Sequence, residues 1–115
     1  MKKYEEIEYK NEKYILAFNL NSMGVIQDKY GTLQAWADLT DADEPNANAI
    51  IYGYYAMLNE GIDIYNEDVE KEQRRKPLTL KQVGRIISEV GLEEANAKLQ
   101  RNVVENTKSD ETKNV

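Results

Sequence analysis

The sequence predicts a mainly α-helical domain, with an N-terminal β-hairpin packed on about five short helices. Two observations carry this. Residues 4–18 form two short runs rich in β-formers around a polar turn, the pattern of a hairpin. From Asn19 onward, apolar residues recur at three- and four-residue steps, and capping or stopping residues bracket each stretch. The 115 residues fit the usual length of one domain and allow one modest core. A single globular unit is expected over residues 1–105, with 106–115 as a disordered tail poor in apolar residues.

Within the hairpin, Ile7 and Tyr9 lie on one side of the first run and glutamates on the other. "KNEK" supplies the turn, where Asn11 takes a left-handed conformation at little cost. "KYILAF" follows, with Tyr14, Leu16 and Phe18 on one face. "NLNSMGVIQDKYG" is then a helix, capped by Asn19 or Asn21 and ended by Gly31, with Met23, Ile26 and Tyr30 at helical steps. "TLQAWADL" is a second, capped by Thr32, with Leu33, Trp36 and Leu39 together. In the acidic loop "TDADEPNA", Pro45 is placed to begin the next helix.

That helix, "AIIYGYYAMLNEG", is apolar around much of its circumference, so it is either central to the core or covered by a partner. Ile50, Ile51, Tyr54, Met57 and Leu58 share one stripe, while Ala49, Gly53 and Ala56 form a small-residue face suited to close packing. Tyr52 and Tyr55 stand between exposed interface and core margin. Gly61 is expected to end the helix. "IDIYNEDVEKEQRRK" reads as a solvated connector, or a short charged helix with Glu70 and Arg74 at i, i+4 spacing.

The C-terminal part reads as an αα-hairpin. Thr79 and Gln82 make a capping box, and Leu78 staples onto Val83. Leu80, Val83, Ile87 and Val90 form the expected buried stripe, closed by Gly91. In the second helix Leu92, Ala95, Leu99 and Val103 line one face, and Glu94 pairs with Lys98 outside.

Composition narrows the function classes. A net charge of −6 argues against generic binding to nucleic acid phosphates. The chain has no cysteine and no histidine, which removes thiolate chemistry, the commonest general base and the commonest transition-metal ligand. No stretch is apolar enough for a membrane span, and "MKKYEEIEYK" lacks the apolar run of a signal peptide. A calcium loop starting at Asp41 would need glycine and glutamate where Asn46 and Tyr52 stand; dipole-complementing carboxylates at a helix start explain Asp43 and Glu44 better. The glycines do not cluster as a phosphate loop, and no catalytic carboxylate pair is distinguished. A non-enzyme without catalytic, metal or cofactor residues is expected. The candidates for partner contact are Trp36, Tyr52, Tyr55, Met57, Leu92 and Leu99, chosen as large apolar or amphipathic side chains.

The order of a hairpin, "FNLNSMGVIQDKYG", an "IIYGYYAMLNEG" helix and "LTLKQVGRIISEVGLEEANAKL" resembles the small tail assembly chaperones of long-tailed bacteriophages and prophages of Gram-positive hosts. The resemblance spans roughly Tyr14 to Val104 and rests on apolar positions, glycines and a capped helix. It implies a protein that binds the tape measure protein in the host bacterial cytoplasm and keeps it soluble while tail tube protein polymerises. It further implies absence from the mature virion, possible homo-oligomers, and a longer form of the chain made by ribosomal frameshifting. Neither nucleic acid nor membrane is an expected partner. Two alternatives stay open: a small DNA-binding regulator using the 79–103 helical hairpin, and a virion head–tail connector component.

Overall fold

A computed structural model describes the backbone of residues 4–113 and the side chains of residues 4–107. The mainly α architecture is as expected: a two-stranded antiparallel sheet followed by five α-helices. Strands β1 (Glu5–Tyr9) and β2 (Glu12–Leu16) pair from Glu5↔Leu16 to Tyr9↔Glu12, leaving a two-residue turn. Both turn residues are left-handed, Lys10 at φ 52° and Asn11 at φ 66°. That conformation matches the twist of the flanking strands. Asn11 meets its expectation, and Lys10 bears the same strain without an asparagine's compensation.

Neither strand edge is bare. The Lys13 carbonyl accepts from Arg75 Nη1 at 2.9 Å, and the Glu6 carbonyl accepts from Lys98 Nζ at 3.0 Å. Lys98 also approaches Glu5 rather than pairing with Glu94 as expected. Covering edge carbonyls in this way blocks further strand pairing.

Helix α1 (Leu20–Tyr30) is capped by Asn19 in a capping box with Ser22 and closed by Gly31 at φ 87°. Helix α2 (Leu33–Thr40) is capped by Thr32. Helix α3 (Ala47–Glu67) takes Asn46 as its cap, so Pro45 precedes the helix instead of opening it. It also runs six residues past Gly61. That glycine is no stop: a Cβ there would collide with the Ile15 carbonyl, so its role is close approach to β2. The chain then turns through a short 3₁₀ segment, Lys71–Gln73, to α4 (Leu80–Val90) and α5 (Leu92–Lys113). Gly91, at φ 99°, is the whole connection between the last two.

With 21 and 22 residues, α3 and α5 are not short. The tail expectation also needs correction. Residues 106–113 continue α5, and Asn106 is buried, donating from Nδ2 to the Asn102 carbonyl at 2.8 Å. Positions 114 and 115 of the expected tail lie outside the described residues.

The core is built around α3, whose Ile50, Tyr54, Met57 and Leu58 are fully buried. Ala17 N–H donates to the Met57 carbonyl at 3.1 Å, joining the end of β2 to the helix. Trp36 packs across Gly53 and donates from Nε1 to the Ala49 carbonyl at 2.9 Å, so the small-residue face is filled as expected. From α4 the buried residues are Val83, Ile86 and Ile87, so Val83 and Ile87 face inward as expected, while Ile86 joins them and Leu80 turns outward. On α5, Ala95, Leu99, Asn102 and Asn106 face inward, whereas Leu92 is exposed.

Candidate functional site

The six candidate contact residues divide. Trp36, Met57 and Leu99 are core residues with at most 2% of their surface exposed, which removes them as contacts of the folded chain. The Trp36 indole already has its acceptor, and Met57 and Leu99 lie in the central cluster. Leu92 is exposed at the α4–α5 turn, apart from the grooves described below. Tyr52 and Tyr55 are partly exposed on α3, and around them the structure assembles a continuous face.

Helix periodicity explains how. Asn48, Tyr52, Tyr55, Asn59 and Asp63 follow one another at steps of four, three, four and four, one stripe along α3. Helix α1 runs antiparallel beside it. Asn19 and Asn21 near its start donate to Glu60 at 2.8 and 3.0 Å, and Tyr30 at its end meets Tyr52. The ring centroids of Tyr30 and Tyr52 are 5.9 Å apart, edge to face, and those of Tyr52 and Tyr55 are 5.4 Å apart. These spacings are favourable for aromatic pairs and fix the three rings as a ridge. Lys29 Nζ lies 5.7 Å from the Tyr52 centroid, within cation–π range.

A groove opens at each end of this ridge. One, of about 560 Å³, lies between the ends of α1 and α2 and the starts of α3 and α4. Tyr30, Leu39, Ile51, Tyr52 and Leu80 form its apolar walls, with Lys29 and Lys81 on the rim. Leu39 and Leu80 are 38% and 47% exposed, so the apolar surface is open to solvent. The other groove, of about 450 Å³, runs between α1 and α3 and is lined by Val25, Tyr55 and Ala56 together with Asn59, Glu60 and Asp63. One end of the face is therefore basic and the other acidic.

Tyr30 and Tyr52 are uncharged at neutral pH. Partial burial raises the Tyr52 hydroxyl above its ordinary value, helped by the neighbouring Tyr55 and Asp28. Tyr30 is raised for the same reason, by burial first and then by Tyr52. Both present neutral phenols, able to donate or accept hydrogen bonds at the rim of an apolar contact.

A separate cavity, of about 330 Å³, lies beside β2 with Arg75 among its lining residues. The guanidinium sits between two rings, 4.7 Å from the Tyr14 centroid and 4.1 Å from that of Tyr65. Its Nη1 also holds the Lys13 carbonyl, and its backbone exchanges hydrogen bonds of 2.8 and 2.9 Å with the Asn66 side chain. These partners occupy Arg75 in fastening the charged connector to the body.

Among the described residues no three histidine, cysteine, aspartate or glutamate side chains are grouped to hold a metal ion, and no helix is long and apolar enough to cross a membrane. On the 79–103 hairpin, Glu93 and Glu94 occupy the exposed first turn of α5, and both Lys98 and Arg101 turn to Glu5 at 3.8 and 3.5 Å.

Sequence reasoning identified Tyr52 and Tyr55 but not Tyr30, Leu39, Leu80 or the two lysines. The signal available for Leu80 was its place as the first residue of a capped helix, where side chains often overhang the end. Comparison with protein-family models, with curated proteins and with solved structures finds no match.

Proposed function

We propose that this chain is a non-enzymatic, helix-capturing binding protein of the tail assembly chaperone type, whose client is a phage tape measure protein. The observation that carries the reading is the open α1–α3 face, where a three-tyrosine ridge separates two grooves. Grooves between helices lined by aromatic and aliphatic side chains suit an amphipathic helix, which supplies anchors at i, i+3 or i+4, and i+7. Tyrosines hold large contact area at low entropic cost, and their hydroxyls keep the empty face wettable. A net charge of −6 keeps client-bound copies apart in solution. The resemblance of its order of sequence features to that of tail assembly chaperones suggests the client.

In this reading the protein acts in the host cytoplasm, coats a long client reversibly, and leaves before the tail is complete. Self-association, contact with the tail tube protein and a frameshifted longer form belong to the same proposal. Affinity recovery from phage-producing cells through an N-terminal tag tests it. One very long helical protein should be recovered, and the chain should be missing from purified particles. Recovery of DNA, or presence of the chain in particles at stoichiometric level, would contradict it.

A further inference from the structure

Resting on that reading, we propose that the groove bounded by Lys29 and Lys81 takes the acidic end of a charge-segregated amphipathic helix. The occupant is identified by charge complementarity. The chain carries 21 acidic and 15 basic residues, yet no carboxylate lines this groove; Asp28 acts on the Tyr52 wall from outside the lining. Its rim holds the two lysines, and Lys29 is drawn over the Tyr52 ring. Among the described residues neither lysine pairs with a carboxylate.

Its apolar walls, Tyr30, Leu39, Ile51, Tyr52 and Leu80, come from four helices and leave room for a few aliphatic side chains. At the far end of the ridge the charge reverses, with Glu60 and Asp63 on the second groove. Tyr52 and Asp63 are eleven residues apart on one helix, so the two ends are separated by about 16 Å. A partner helix of about three turns therefore spans the face with its acidic end over the lysines and its neutral or basic end over Glu60 and Asp63. The opposite placement sets the acidic end against Glu60 and Asp63 and leaves the lysines without a countercharge, which is how a charged rim selects register rather than mere affinity.

The probe is a pair of labelled 15-residue helical peptides with the same leucine stripe. One has three glutamates at one end; the other has glutamines in their place. Binding to the full-length chain is read by fluorescence anisotropy at low salt. The acidic-ended peptide should bind about tenfold more tightly, as two exposed ion pairs allow. Lys29→Glu combined with Lys81→Glu should reverse the order, and circular dichroism should be unchanged because both side chains are exposed. Equal affinities, an unchanged preference in the double variant, or no binding of either peptide would overturn the proposal. So would displacement of the acidic peptide by duplex DNA, which would assign the lysines to phosphate. Client recovery from cells that persists alongside equal peptide affinities would leave the chaperone reading standing and remove only this charge assignment.

Discussion

At Gly61 the α3 backbone and the end of β2 come so close that no side chain fits. An added Cβ would meet the Ile15 carbonyl and lie 2.7 Å from Ile15 Cγ1. A carbonyl in a paired strand cannot move aside as a flexible side chain would, so Gly61→Ala should cost about 1–3 kcal/mol in urea unfolding. Gly24, inside α1 with nothing within 4 Å of where a Cβ would sit, is the contrast: Gly24→Ala should add about 0.5–1 kcal/mol. Read from sequence, Gly61 was a helix stop because glycine commonly is one. Only the strand packed against it reveals the other use. Tyr54 illustrates the same point for polar atoms. Its hydroxyl is buried and donates to the Ala95 carbonyl at 2.7 Å, and burial drives its pKa far above the ordinary 10.0. A folded-state pKa raised in this way gives stability that is complete below pH 10 and is lost as pH rises beyond it. Tyr54→Phe should therefore cost about 1 kcal/mol at pH 7 and flatten the fall in stability above pH 10. Equal slopes for both chains in alkaline unfolding series would contradict this.

Elements were legible where a cap or an alternation marked them and illegible where tertiary contacts replaced those marks. Thr32 and Thr79 cap the helices they were expected to cap, and of the two candidates for α1, Asn19 and Asn21, it is Asn19 that caps. The end of α3 was missed because Ile62 and Tyr65 extend its apolar period through a polar stretch. The continuation of α5 was missed because asparagines do what apolar residues usually do. Asn102 is buried, donates to the Leu16 carbonyl at 2.8 Å and accepts from Glu5 N–H at 3.2 Å, tying the helix to both strands. The connector between α3 and α4 is polar yet pinned, by Arg75 between two tyrosine rings and by the Asn59 and Asn66 side chains. Arg75→Ala should release it and speed trypsin cleavage at Lys71 and Arg74 several-fold, with little change in global unfolding. Arg75→Lys should rescue poorly, because an ammonium neither stacks between two rings nor presents a planar fork to the Lys13 carbonyl and the Glu12 carboxylate together. Unchanged cleavage in Arg75→Ala would mean the connector is held by other contacts.

Over the whole molecule, the same two helices serve two surfaces. One side of α3 forms the centre of the core, and its flank, with α1, forms the open tyrosine ridge. The sequence showed both uses of that helix and could not apportion them, because Trp36 and Met57 look as suited to a partner as Tyr52 does. Depth separates them, and depth depends on how α2 and α4 pack. The central claim is that the ridge captures the client. Its most direct measurement is the soluble fraction of the phage tape measure protein co-expressed with the full-length chain or with a Tyr52→Glu, Tyr55→Glu variant. Both tyrosines are partly exposed, so the variant should fold, as circular dichroism would verify. The native chain should keep the client soluble and the variant should lose most of that effect, as buried like-charged carboxylates cannot replace an apolar contact. A client that is equally soluble with both chains, or insoluble with both, would contradict the claim.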